Sequence, residues 1–317
     1  QVAELDVATS ENSIQESIAQ IYIQILYAAE SVRVNENTLQ VSIAQRDRGQ
    51  ELLNAGSIAK SDFAQLEAQV STDRYQLVTA QATLQDYKLQ LKQLLELDGE
   101  NEMNIYLPAL SDENVLSPLP AKRDVYVSAL ALRPEIEASK LNVNASELGI
   151  DIAKSGYLPT VSLSAGIGTN HTSGSDFTFS EQVKNGWNNS IGLSVSVPIF
   201  NNRQTKSAVQ KAKLQYETSM LSLLDEQKAL YKTIEGLWLD ANSAQQRYAA
   251  ANEKLKSTQI SYNLISEQFN LGMKNTVELL TEKNNLLQAQ QEQLQAKYMA
   301  ILNTQLLKFY QGDKLAL

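Results

Sequence analysis

Asp62 and Glu278 each lie six residues beyond a glycine, Gly56 and Gly272, and Lys274 falls inside the second interval. An acid at that distance past a helix-ending glycine reaches the first turn of the next helix, where the helix dipole favours a carboxylate. Asn275 to Glu278 also fits Asn-x-x-Glu, a capping box in which side chains and backbone satisfy each other's free groups. Catalytic patterns are missing by comparison. The single histidine, His171, has no cysteine or paired carboxylate at ligand spacing and reads as an exposed loop residue, so no metal site is expected. Gly166-Ile167-Gly168 opens no helix and lacks the third glycine of a dinucleotide loop, and Asn170-His171-Thr172 matches a glycosylation sequon by composition alone. With no nucleophile and base at catalytic spacing, neither an enzyme nor a cofactor is expected.

The elements that position these residues are set by an internal repeat. With a constant offset of 216 residues and no gap, the stretch from about Ile14 to Leu94 superposes on Leu230 to Tyr310. Ile18, Ile21, Ile25, Ala28, Val32, Asn35 and Leu39 fall on Ile234, Leu237, Ala241, Ala244, Tyr248, Ala251 and Leu255. Asn54-Ala55-Gly56 falls on Asn270-Leu271-Gly272, and Tyr22 falls on Trp238, a pair that reads as duplicated packing residues. Apolar residues every 3.5 positions describe helices that supercoil around neighbours, and the second copy holds that period from Leu230 to Phe269. The unit is a helix, a glycine turn and a second helix.

A first helix is therefore expected to residue 54, with Gly56 as its left-handed end, and a second from Ser61 to Leu97, stopped by Asp98-Gly99. Its core positions are Phe63, Leu66, Val70, Leu77, Ala80, Leu84, Tyr87, Leu91 and Leu94. Residues 99–123 carry Pro108, Pro118 and Pro120 and read as an irregular connection with one short strand at Asn104–Leu107. A short helix precedes Arg133, and Pro134 opens another that runs to about Ser155. The longest helix is expected from Arg203 to Leu271, roughly 100 Å at ~1.5 Å per residue, and the last from Asn275 to Tyr310.

Between these helices the period changes to two. Val161, Leu163, Ala165 and Ile167 alternate with Ser162, Ser164, Gly166 and Gly168; Ile191, Leu193, Val195, Val197 and Ile199 alternate with Gly192, Ser194 and Ser196. These are two strands of about ten residues with one apolar face and one small, wettable face, joined by a polar loop. Tyr157 and Phe200 mark one rim, and Phe177, Phe179 and Trp187 the other, as a membrane-crossing hairpin with interfacial aromatics requires. A soluble hairpin with one buried face has the same pattern.

The chain of 317 residues has 27 basic and 36 acidic side chains, a net charge of −9 and no basic patch for nucleic acid. It has no cysteine, which rules out disulfides within it. No signal peptide and no apolar run long enough for a transmembrane helix are visible, and a helical pattern beginning at Gln1 reads as a processed or trimmed form.

Arg133-Pro134-Glu135-Ile136, the helix ending Gly156-Tyr157-Leu158-Pro159-Thr160, the strand closing Val197-Pro198-Ile199-Phe200-Asn201-Asn202 and the two glycine turns together resemble the TolC-type outer membrane efflux proteins over essentially the whole chain. The resemblance implies a mainly α fold of long antiparallel coiled-coil hairpins in an internal repeat, with a transmembrane β-hairpin contributing to a trimeric β-barrel. Residues 1–98 would form the first hairpin of a periplasmic α-barrel, 99–133 an equatorial connection with a short helix, and 134–156 a helix leading to the barrel. Residues 157–202 would be the barrel hairpin, 203–311 the second long hairpin and 312–317 a C-terminal tail. Since the family has one strand pair per repeat, a twin of the unit opening at Pro134 is expected about 83 residues ahead of Gln1, and the one hairpin present would not complete a barrel.

The implied function is a passive efflux duct for drugs or other small molecules in a Gram-negative outer membrane, with most of the chain in the periplasm. The implied partners are two further copies, a periplasmic adaptor, an inner-membrane transporter and outer membrane lipid. A duct for type I protein secretion and a non-pore periplasmic scaffold are the alternatives. Matched by position, Asp62, Glu278, Lys274 and Phe269 would form the gate and selectivity region at the periplasmic tip, while Gly56, Ser57, Gly272 and Met273 would be the turns that meet the adaptor. Two positions depart from the family pattern: a second acid three residues past Glu278 is Thr281 here, and Phe269 replaces a tyrosine.

Overall fold

The computed structural model describes residues 1–97, 105–106 and 115–315. Its elements are α1 (Val2–Asn54), α2 (Lys60–Leu94), α3 (Lys122–Leu132), α4 (Pro134–Ser155), β1 (Thr160–Gly168), α5 (Phe179–Asn185), β2 (Asn188–Ser196), α6 (Gln204–Asn270) and α7 (Thr276–Gln311). The fold is mainly helical. It divides into two compact units, one built from residues 3–137 and 227–317 and the other from residues 138–226.

The first unit is held together by the seams that the 3.5-residue period draws. No residue of the series from Leu230 to Phe269 on α6, or of its copy from Ile18 to Leu39 on α1, is exposed. Ile23, Leu26, Ala244, Tyr248, Leu294 and Ile301 pack into one cluster, and Val125, Ala129, Ile136, Leu230, Ile234 and Leu307 into a second. α3 and α2 both pack on α7, which is buried on more than one face. α3 ends at Arg133, whose φ of −76° and ψ of 124° are the extended values that a following proline imposes. Pro134 then opens α4. The Arg133 guanidinium, beneath the chain at that corner, pairs with Glu16 at 2.8 Å and Glu135 at 2.9 Å and lies 4.0 Å over the Tyr310 ring.

Tyr22 and Trp238 do more than pack. The Tyr22 hydroxyl donates to the Tyr106 carbonyl at 2.7 Å and the Trp238 indole to the Pro120 carbonyl at 3.0 Å, so the repeat-related pair anchors two points of the connection. Of the short strand expected at Asn104–Leu107, Asn104 and Leu107 lie outside the described residues, as do Asp98, Gly99 and Pro108; Ile105 and Tyr106 are irregular. α2 stops at Leu94 rather than Leu97, because Glu96 takes a left-handed φ of 52° and Leu97 N–H returns to the Lys92 carbonyl.

In the second unit β1 and β2 pair antiparallel, with Val161 opposite Val195, Leu163 opposite Leu193 and Ala165 opposite Ile191. Ser162 faces Ser194 and Ser164 faces Gly192. Odd residues thus meet odd residues and the two faces stay chemically distinct. The strands are nine residues each, and Val197 and Ile199, expected in β2, lie beyond it. Pro198 has no N–H to donate to a ladder. The loop between the strands contains the helix α5, started by a capping box between Thr178 and Glu181.

Candidate functional site at the glycine turns and the strand hairpin

The two glycine turns are the same object built twice. Gly56 and Gly272 both have φ of +73°. Gly56 N–H donates to the Leu53 carbonyl at 3.0 Å and Ser57 N–H to Leu52 at 2.8 Å; Gly272 N–H donates to Phe269 at 2.9 Å and Met273 N–H to Gln268 at 2.8 Å. Each is the paired bond of a Schellman stop, which leaves the following residues free to turn back. A β-carbon on either glycine would meet nothing within 4 Å, so only the left-handed backbone requires glycine there.

Beyond the turns the copies differ. Asn275 Oδ1 accepts from Glu278 N–H at 2.9 Å, Glu278 Oε2 accepts from Asn275 N–H at 3.2 Å, and Lys274 Nζ reaches Glu278 Oε1 at 2.5 Å. The Lys274 ammonium, and then the Asn275 N–H, hold the Glu278 carboxyl below the ordinary glutamate value. At the first turn the cap position is Ala59, which offers no side-chain acceptor, and Asp62 makes the one remaining contact, to Ala59 N–H at 3.4 Å. Lys274 and Glu278 are therefore brought together, while Asp62 is engaged separately. Phe269 is 2% exposed and packs with Leu66 and Leu279 inside the paired hairpins. Ser57 and Met273 are exposed. Arg48, which the sequence did not single out, reaches across from α1 to the Asn270 carbonyl at 3.2 Å and ties that helix to the second turn.

Also unannounced by the sequence is a buried polar cluster between the hairpins. The Asp73 carboxylate on α2 accepts from Ser42 on α1 and from Lys283 on α7 at one oxygen, and from Gln69 at 2.9 Å at the other. Gln45 on α1 donates to the Tyr262 hydroxyl on α6 at 2.8 Å. Burial draws the Lys283 ammonium below its ordinary lysine value, against the opposing pull of Asp73. The signal was an interruption: Phe63, Leu66, Val70 and Leu77 leave a seam position open near 73, and Leu279 and Leu286 leave one near 283.

The strand hairpin is the second candidate. Leu163, Ile167, Leu193 and Ile191 lie on one face with nothing over them, Ile191 being 83% exposed. Tyr157 and Phe200 stand at one end and Phe177, Phe179 and Trp187 at the other, all exposed. A two-stranded sheet so bare is marginal in water, and its apolar face calls for a cover of hydrocarbon or protein. Among the described residues no helix is long and apolar enough to cross a membrane. Nor do they contain a group of His, Cys, Asp or Glu that could hold a metal ion.

The family model described as outer membrane efflux protein matches residues 125–312. The chain is 24% identical over 294 residues to the outer membrane efflux protein BepC of Brucella suis biovar 1, across 92% of this chain and 61% of that protein. It is 24% identical over 316 residues to the outer membrane protein TolC of Escherichia coli K12, across 95% of this chain and 62% of that protein. The chain thus spans about three fifths of the length of these curated relatives. The solved outer membrane protein VceC of Vibrio cholerae shares the fold with a TM-score of 0.78 at 18% identity, across 99% of this chain and 73% of that one.

Proposed function

Because the chain belongs to the outer membrane efflux protein family, we propose that it is part of a passive export duct for drugs or other small molecules, running through the periplasm and across the outer membrane. In this reading three copies associate. Their strand hairpins contribute to one β-barrel in the outer membrane of a Gram-negative bacterium, and their helical hairpins line a tunnel below it. The observation that carries the reading is the hairpin: nine-residue strands with one bare apolar face, one face of serine and glycine, and aromatic residues at both ends. Lipid suits the first face, a watery lumen the second and the interfacial zones the ends. A periplasmic scaffold without a pore has no use for such a surface.

The glycine turns then lie at the periplasmic mouth, where a periplasmic adaptor, working with an inner-membrane transporter, meets Gly56, Ser57, Gly272 and Met273. Asp62 and Glu278 repeat around the mouth as carboxylate rings that favour cations, with Lys274 beside them. Phe269 supports the second turn from beneath rather than closing the opening. The test is conductance of the full-length protein in a planar bilayer. Stepwise, cation-preferring channels are expected; assembled protein that conducts nothing overturns the reading.

A further inference from the structure

The loop that joins β1 to β2 lies at the end of the strands away from the long helices, since α4 leads into β1 and α6 leads out of β2. In the proposed barrel that end faces the cell exterior. The loop is held by its own polar groups. Gln182 Oε1 accepts from Thr172 N–H at 2.8 Å, Gln182 Nε2 donates to the Phe177 carbonyl at 2.8 Å, and Thr169 Oγ1 donates to the Val183 carbonyl at 2.9 Å. With the cap at Thr178, these bonds fix α5 against the chain that leaves β1.

What they leave facing outward is an aromatic recess with a single charge. Phe179, Ser180, Val183, Lys184 and Trp187 line an open space of about 620 Å³, a size that suits an organic group rather than a lone ion. Both rings are exposed. In the period of β2, Trp187 falls with Asn189 and Ile191, so the recess continues the bare apolar face of the hairpin. From Gly156 to Asn202 the sequence has one lysine, Lys184, and no arginine. Its ammonium has no ion-pair partner among the described residues. Glu181, three residues earlier, does not line the recess: its carboxylate is held by Thr178 N–H at 3.0 Å and by Thr178 Oγ1 at 2.8 Å.

Apolar rings beside an unpaired cation, at the level where the strands leave hydrocarbon, match an amphiphile with an anionic head. Aromatic rings seat at headgroup depth, and an ammonium makes a charge-assisted bond to phosphate. The outer leaflet of a Gram-negative outer membrane supplies such a molecule as a phosphorylated glycolipid. We propose that Phe179, Val183, Lys184 and Trp187 form a binding site for that glycolipid, with the rings and Val183 against its uppermost acyl methylenes and Lys184 Nζ on a phosphate. The inference rests on the outer membrane reading of the hairpin. The recess is complete within one hairpin, so each copy holds its own lipid. A loop tethered in this way stays at the rim instead of falling across the outer opening.

The test titrates delipidated full-length protein in detergent with a bisphosphorylated glycolipid, with the same glycolipid stripped of its phosphates, and with inorganic phosphate, counting bound lipid by native mass spectrometry. The bisphosphorylated form is expected to bind, Lys184→Gln to weaken it about five-fold and Lys184→Arg to preserve it. The stripped form should bind the parent as weakly as the intact lipid binds Lys184→Gln. Phe179→Ser with Trp187→Ser should weaken both forms alike. Equal binding of the intact lipid by parent and Lys184→Gln overturns the site. Displacement by inorganic phosphate at equal concentration reduces the recess to an anion site and overturns the lipid assignment. Heat-resistant assembly that falls in Phe179→Ser without any glycolipid present shows the recess covered by a second copy, which overturns it too. A parent that conducts but retains no glycolipid overturns the site alone, whereas one that retains the glycolipid and conducts nothing overturns the duct alone.

Discussion

Placing a lysine at Leu193 and, separately, at Ser194 tests the two faces of the strand hairpin one residue apart. Nine residues at ~3.3 Å span about 30 Å, and a tilt of roughly 40° reduces this to about 23 Å, close to the apolar height of an outer membrane barrel. Leu193 pairs with Leu163, next to the central pair of Ser164 and Gly192, which in the proposed barrel would put it within about 3 Å of the bilayer midplane. A lysine on the lipid side at that depth costs ~2–4 kcal/mol. In the proposed assembly of three copies this would rise to roughly 6–12 kcal/mol, comparable to the whole stability of an ordinary domain. Ser194 points to the other face, where a charge meets water and little is lost. The assay is the amount of heat-resistant assembly recovered from outer membranes. Leu193→Lys is expected below one tenth of parent. Ser194→Lys should assemble near the parent level and shift ion preference toward anions. Equal recovery of the two variants would refute the assignment of one covered and one wet face, because a hairpin free in water does not separate neighbouring residues in this way.

Three further outcomes follow from the turns and seams. Glu278 has a folded pKa below its ordinary value of 4.5, so its capping contribution is complete above 4.5 and is lost only as pH falls through the lower folded value. Hydrogen exchange at residues 275–280 should therefore stay protected below pH 4.5, and Lys274→Ala should move the loss of protection upward; an unmoved midpoint would show that the ion pair contributes nothing. Gly272→Ala is expected to cost ~1–2 kcal/mol through its left-handed backbone. A β-carbon at Gly49, by contrast, would lie 2.3 Å from Leu66 Cδ1, so Gly49→Ala should cost ~1–3 kcal/mol and couple strongly to Leu66→Ala in a thermal double-mutant cycle, where Gly272→Ala should not. If these residues line the mouth as proposed, Lys274→Ala should raise single-channel conductance, and Asp62→Asn with Glu278→Gln should lower cation selectivity while leaving assembly unchanged; parent-like conduction by both at low salt would reduce these residues to helix caps.

What the sequence made legible was whatever follows from periodicity. The offset between copies anticipated both Schellman stops, because glycine is the one residue that takes a φ of +73° without cost. Alternation anticipated the pairing of odd with odd residues, since a slip by one would have exchanged the faces. Boundaries set by single residues were less visible. Glu96 ends α2 in a left-handed conformation that glutamate seldom adopts, while Asp98-Gly99, the more obvious stop, lies a few residues later. α5 lies in the stretch read from the sequence as a polar loop: its cap, Thr178-x-x-Glu181, is present, but seven residues are too few for a helical period to register. Asp73 and Lys283 escaped because charge on a seam reads as an interruption when each helix is taken alone. Their meaning lies in two interruptions of opposite sign, 210 residues apart, that fill one another.

The paired turns also record which parts of a duplicated segment are free to drift. Ending a helix requires a backbone shape that glycine alone adopts cheaply, and both copies keep it, with Gly56 and Gly272 at the same φ and the same two backbone bonds. Starting the next helix requires only that a few N–H groups find acceptors, and at an exposed end water can provide them. There the copies have parted: Asn275 and Glu278 close a full cap, and Ala59 leaves Asp62 with half of one. The result is a pair of identical stops followed by unequal starts, and with fewer cap bonds α2 is expected to fray from its first turn more readily than α7. Two hairpins that share a backbone design thus come to differ in how firmly the start of their second helix is held.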